Sequence, residues 1–256
     1  MSATAPTADV LAFLDDLLEP GRFEDMQPNG LQLPGAESVT TIVTGVTAQL
    51  ALFERAVEAG AELVITHHGM LWDFDPRRID RAQARRLKLL LGHDIALASY
   101  HLPLDGHPEV GNNALLAAGL GASARRPAFA HAGVPIGTIA TFDGDGVPAA
   151  DLFARVAALT DRAPLVFDAG PPRIRTLGIV SGSAAGDLSE AIELGLDAFL
   201  TGEPKEHVMA QAREHAVHFV AAGHYATETF GIRRIGDLVA ERFGVVHEFV
   251  DIPNPI

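Results

Sequence analysis

Three short stretches carry side chains suited to holding metal ions: His67 and His68 in ITHHG, His101 and Asp105 in HLPLD, and His224 and Glu228 in HYATE. The last two pair a His with a carboxylate at i, i+4 spacing, each just after an apolar run that reads as a buried strand. Open α/β sheets place ligands beyond the carboxyl ends of such strands. An imidazole binds one ion, whereas a carboxylate can bridge two through its two oxygens. Asp105 and Glu228 are therefore the natural residues to sit on or between a pair of divalent ions. Two ions about 3.5–4 Å apart would share a water, lower its pKa and present hydroxide to an electrophilic centre, with His101 or Glu203 moving protons.

The sequence contains no cysteine, so thiolate sites, disulfides and cysteine nucleophiles are excluded. Nitrogen and oxygen ligands alone suit Zn, Mn or Fe. Neighbouring strand residues point to opposite faces, so His67 and His68 share a site only where the strand ends or twists; Gly69 would allow that turn. A lone His after a strand more often caps or hydrogen-bonds than ligates. His93, His131, His207, His215, His218 and His247 are read that way, while His107 shares the Asp105 loop and stays open.

Other signals are weaker. VSGSAAGD looks like a phosphate-cradling loop but lacks the Lys of a P-loop. It reads as a plain strand-to-helix turn with Ser183 or Asp187 in the first turn. NNALLAAGL reads as a capped packing helix, and Asn29 as a turn residue or a donor behind a ligand. Lys205, Arg233 and Arg234 are either phosphate partners or ordinary surface charges.

Strands are expected at Val39–Val46, Leu63–Thr66 and IALASYH, with helices over LALFERAVEAGA, stopping at Gly60, and ARRLKLLLGHD between them. A first helix, VLAFLDDLLE, is expected to be capped by Thr7 or Asp9 and to end at Pro20-Gly21. From about Arg125 the pattern loosens. A strand (GTIATF), a helix (AADLFARVAAL) and a strand (PLVFDAG) lead to a joint at Pro171-Pro172.

After the joint, TLGIVSGSAAGDLSEAIELGLDAFLTGE lies without a gap on TIVTGVTAQLALFERAVEAGAELVITHH. Thr47 with Gly182, Gly60 with Gly195, and Thr66 with Thr201 each lie 135 positions apart. His101 and His224 lie 123 apart, so the first half carries extra residues near MLWDFDPRRIDR. The expected architecture is α/β: two duplicated lobes, approximately 1–124 and 125–256, related by a pseudo-two-fold with the metal site between them.

Bulk properties agree with a packed protein of this class: 48% of residues are hydrophobic and 20% charged. The net charge of −14 disfavours nucleic acid and anionic membranes as partners. Asp15, Asp16 and Glu19 interrupt the first apolar face, so it reads as an amphipathic helix and not a signal peptide, and a cytoplasmic location is expected.

PNGLQ, ITHHGMLW, HLPLDGHPEVGNNALLA, LTGE and GHYATETFGIR together resemble the Nif-three-like dinuclear-metal proteins, known in bacteria as GTP cyclohydrolase I type 2 homologues. The resemblance runs from about Leu11 to the C-terminus, in order. It implies two metal ions per chain on His67, His68, Asp105, His224 and Glu228, with His101 nearby. It also implies a homohexameric ring and a hydrolase acting on a purine nucleotide or related small molecule. The alternative is a metal-handling or metallochaperone protein without substrate turnover.

Overall fold

The computed structural model describes residues 3–256. The chain forms two compact units. One takes the residues up to Leu104 together with Gly231–Ile252; the other takes Asp105–Phe230 and Pro253–Ile256. These are not the sequential halves 1–124 and 125–256. The C-terminal strand Val246–Phe249 pairs in parallel with Thr41–Thr44, which returns the chain end to the first unit. Leu116, Ala117 and Leu120 are buried in the core of the second unit, which draws the segment before 124 into it.

The first unit contains α1 (Thr7–Leu18), β1 (Gly30–Leu33), β2 (Thr41–Thr47), α2 (Leu50–Ala59), β3 (Leu63–His68), α3 (Arg81–Gly92) and β4 (Ala96–Ser99). Its sheet runs C-terminal strand, β2, β3, β4, β1, parallel except for the antiparallel edge strand β1. β3 is buried almost throughout, as expected of a parallel strand covered on both faces. α1 buries Val10, Leu14 and Leu18, one stripe at helical spacing. Pro6, not Thr7 or Asp9, precedes its first turn; Thr7 is already helical and its hydroxyl donates to Ala36 O at 2.6 Å.

The short helix α4 (Leu102–Gly106) follows in the chain. The second unit then contains α5 (Asn112–Gly119), β5 (Ala124–His131), β6 (Val134–Thr141), α6 (Ala149–Leu159), β7 (Leu165–Phe167) and β8 (Thr176–Ile179). Next come α7 (Leu188–Glu193), β9 (Ala198–Thr201), α8 (Val208–His215), β10 (His218–Ala221) and α9 (His224–Thr227), and the chain leaves through α10 (Thr229–Phe243). Its sheet runs β7, β10, β9, β8, β6, β5. β5 falls where the sequence pattern loosens. It holds Pro127, which an edge strand tolerates because one row of its N–H groups has no neighbour to bond.

The parallel strands of the two units pair in matching registers. Ile42 faces Leu63 in the first, and Leu177 faces Ala198 in the second, both residues 135 positions on. Gly60 and Gly195 end the equivalent helices at φ +67° and +66°, a left-handed conformation that glycine adopts at little cost. Glu62 accepts from the backbone N–H groups of Thr40 and Thr41 at 3.1 and 2.9 Å. Asp197, also 135 on, accepts from those of Arg175 and Thr176 at 2.8 and 3.0 Å. Burial raises the Glu62 carboxyl, but the N–H and hydroxyl donors outweigh it and hold the group below its ordinary range. Its contribution is therefore present above the unfolded value and is lost as pH falls through the lowered one. Glu62→Ala is expected to cost about 1–2 kcal/mol, read as a lower urea midpoint at pH 7 with the gap closing in acid.

Candidate metal centre

β3 does not stop at Thr66; it runs through His68 and so carries both imidazoles. The strand twists there, and the two rings lie 4.7 Å apart at 44° rather than on opposite faces. The strand ends directly before Gly69, whose φ is not positive. Its lack of a side chain serves packing: a Cβ would overlap the Gln32 amide. His101 follows β4, with its ring 5.1 Å from His67 and 5.6 Å from His68. One nitrogen from each of the three falls within 4.8 Å of the others, a cluster able to hold a metal ion.

The rings are oriented from behind. His67 Nδ1 donates to the Tyr100 carbonyl at 3.0 Å, which makes Nε2 its lone-pair nitrogen. His101 Nδ1 donates to Asp25 Oδ1 at 2.8 Å, and His68 Nδ1 meets Thr47 Oγ1 at 3.3 Å. Burial acts to raise the Asp25 carboxyl, but His101, Asn29 and the Leu102 N–H outweigh it and hold it at about 2. Asn29 is a donor behind the site: its amide bonds Asp25 at 2.9 Å while its oxygen accepts the His101 N–H at 2.8 Å. Gln27, buried, bonds the His67 carbonyl and Ser99 and accepts the Gly69 N–H at 2.6 Å.

In the second unit, Asp105 and Glu228 are 7% and 2% exposed, with a carboxylate oxygen of each within 4.8 Å of the other. Asp105 Oδ1 accepts from Asn112 Nδ2 at 2.8 Å and Ser181 Oγ at 2.9 Å, which fixes the carboxylate. Asn113 bonds the Asp105 and Ile136 carbonyls and accepts the Ser181 N–H at 2.7 Å. The asparagines of α5 therefore do more than start a packing helix. His224 lies between two carboxylates, with Nδ1 on Glu203 and Nε2 3.1 Å from Glu228 Oε1. Burial lowers the imidazole, but Glu228 and Glu203 outweigh it and push it up to about 9.

Gly182, in the β8–α7 turn at φ +68°, packs directly under this pair. A Cβ there would run into Glu228 Oε1 and lie 3.3 Å from His224 Nε2. Within VSGSAAGD, Ser181 thus bonds Asp105, Gly182 packs against Glu228 and His224, and the Ser183 hydroxyl donates to Glu203 at 3.4 Å.

The remaining candidates do other work. His107 Nδ1 accepts the Glu109 and Val110 N–H groups and shapes its loop. His218 is buried and satisfied by backbone at Gly170 N and Pro171 O. Arg233 stacks on Phe249 at 3.8 Å, and Arg234 pairs with Glu241 at 2.8 Å. Asp25, Gln27, Asn112, Asn113 and Ser181 carried no local signal of their role. Asp25 lies 76 positions from the imidazole it holds.

A family model described as Duf34/NIF3 (NGG1p interacting factor 3) matches residues 6–255. The chain belongs to the DUF34/NIF3 family. A Pseudomonas aeruginosa member named GTP cyclohydrolase 1 type 2 homolog is 43% identical over 244 residues, 94% of this chain and 95% of that one. The Escherichia coli K12 protein of the same name is 41% identical over 243 residues, 94% of this chain and 96% of its own. Among solved structures, protein ybgI matches with a TM-score of 0.92 and 39% identity over 98% of this chain and all of that one. TTHA1606 from Thermus thermophilus gives 0.90 and 35% with the same coverage. The mixed α/β architecture is thus shared with these two structures. Among the described residues no helix is long and apolar enough to cross a membrane.

Proposed function

We propose that the chain holds a pair of divalent ions and that the protein is a metal-dependent hydrolase of a small molecule. The ligands are His67, His68, Asp105, His224 and Glu228. The observation that carries this reading is the shared orientation of the rings. Two of the ligands, His67 and His224, each have Nδ1 on a backbone or carboxylate oxygen, the arrangement that presents Nε2 to a metal and raises its basicity. Two carboxylates within 4.8 Å of each other complete a nitrogen and oxygen donor set that fits Zn, Mn or Fe.

Bound divalent ions supply Lewis acidity and ionise water near neutral pH. Around them, Asn112 and Ser181 fix the Asp105 carboxylate, Asp25 fixes His101, and Glu203 takes the Nδ1 proton side of His224. His101 is the residue assigned to carry a proton to or from the leaving group, with Asp25 Oδ1 2.8 Å from its Nδ1 orienting the ring. The relatives' name makes GTP the first substrate to test. A ring of six copies, located in the cytoplasm, belongs to the same proposal, and its mass in solution tests the assembly.

The test is metal analysis joined to a nucleotide screen on freshly purified protein. Retained metal with GTP consumption that stops on chelation is the expected result. Metal that exchanges rapidly, passes to an apo-protein client and accompanies no turnover would replace the hydrolase with a metal-handling role.

Proton competition gives a second check. In the metal-free protein His224 holds a proton up to about pH 9, and an ion must displace it. Apparent metal affinity is expected to climb about tenfold per pH unit from pH 7 toward 9 on account of this one proton. Competition titrations with a chelator of known affinity measure the slope, and a flat profile would remove His224 from the ligands.

A further inference from the structure

The link from β3 to α3, residues 69–80, is longer than its counterpart from β9 to α8, residues 202–207. The strand-to-helix connection does not need the added length, and the added residues hold two aromatic rings beside the imidazoles. Trp72 is the single tryptophan of the sequence. Its indole N–H donates to Gly69 O at 3.1 Å, and the Asp73 N–H donates to Met26 O at 2.9 Å, which fixes the ring in place. The indole stands 5.3 Å from His101 at 78° and 5.9 Å from His68. Phe74 stacks on it at 5.3 Å and 23°, while remaining 68% exposed.

An exposed ring held in a stack contributes little to a core, because its outer face stays in water. Asp73, Asp75, Arg77, Arg78 and Asp80 lie in the same stretch of chain and are all exposed, alongside the exposed Leu71 and Ile79. Interface cores between proteins are depleted in charge, so five charges within eight residues disfavour a dry contact with a second copy. Flat rings with a π-face stack on such platforms, at a typical gain well above that of an apolar contact of the same area.

We propose that Trp72 and Phe74 form the platform that captures a planar heteroaromatic ring and sets the rest of the ligand toward His68 and His101. The inference rests on the hydrolase reading of those imidazoles, and it assigns specificity to a loop outside the ligand set. Trp72 reports on the event directly. Guanosine and GTP, corrected for their own absorbance, should quench its fluorescence saturably in both metal-free and metal-loaded protein, whereas ribose 5-phosphate should not. Phe74→Ala should weaken that binding about tenfold, near the low end for loss of one stacking partner, with metal content unchanged.

Saturable quenching by a protein that takes up no metal when offered Zn, Mn or Fe would fail the hydrolase reading and keep the platform. Normal metal content with no saturable quenching, or with equal quenching by ribose 5-phosphate, would overturn the platform alone. A Phe74→Ala protein that binds guanosine normally but changes its assembly state would also overturn it, and would make the shelf a contact between copies.

Discussion

Glu228→Ala is expected to purify with most of its metal gone, from about two ions per chain to well below one. Glu228 is 2% exposed, close to Asp105 and 3.1 Å from the Nε2 of His224, so its loss removes a ligand and also the main charge partner of that imidazole. In the metal-free protein the same change should let the His224 pKa fall from about 9 toward the ordinary range, because burial then acts with less opposition. Elemental analysis reads the first effect, and NMR titration of the imidazole reads the second. Glu228→Gln separates charge from shape: it should keep the fold and lose metal nearly as completely. Metal retained at the full level in both variants would remove Glu228 from the site.

Gly182→Val is the second large effect, and it acts through the backbone. Its φ of +68° costs an L-residue about 1–2 kcal/mol, and the added side chain meets Glu228 and His224. Together these should lower stability by about 2–4 kcal/mol and Tm by roughly 5–10 °C, measured with chelator present so that metal loss does not contribute. Metal content should fall as well, since the two ligands cannot keep their positions. Gly186→Ala, four residues on in the same turn, meets nothing within 4 Å and has no positive φ. It should leave both Tm and metal content unchanged, which makes it the control.

Much of this arrangement was legible in the sequence because it repeats at short range. The apolar runs of β2, β3, β8 and β9, the glycines that stop two equivalent helices, and the constant spacing of 135 all lie in local patterns. The same reading placed His67, His68 and His101 at strand ends, where they form one cluster. It missed what depends on distant pairing. Asp25, Gln27 and Ser181 look like ordinary polar residues until the chain brings them behind a His or an Asp. Asn112 and Asn113 resembled a helix start because that is also where they are. Even the strand equivalence hides a detail: Ser99 and Ala221 occupy matching registers 122 apart, so the loop before His224 is one residue longer than the loop before His101. The unit boundary escaped for a similar reason, since a C-terminal strand can join either sheet and only its pairing with β2 decides.

The most direct measurement is a crystal structure of the metal-loaded protein with anomalous data at the absorption edge of the bound element. Two anomalous peaks about 3.5–4 Å apart are expected, with His67, His68, Asp105, His224 and Glu228 all among their ligands. Ions held by only some of these residues, or peaks remote from all five, would contradict it.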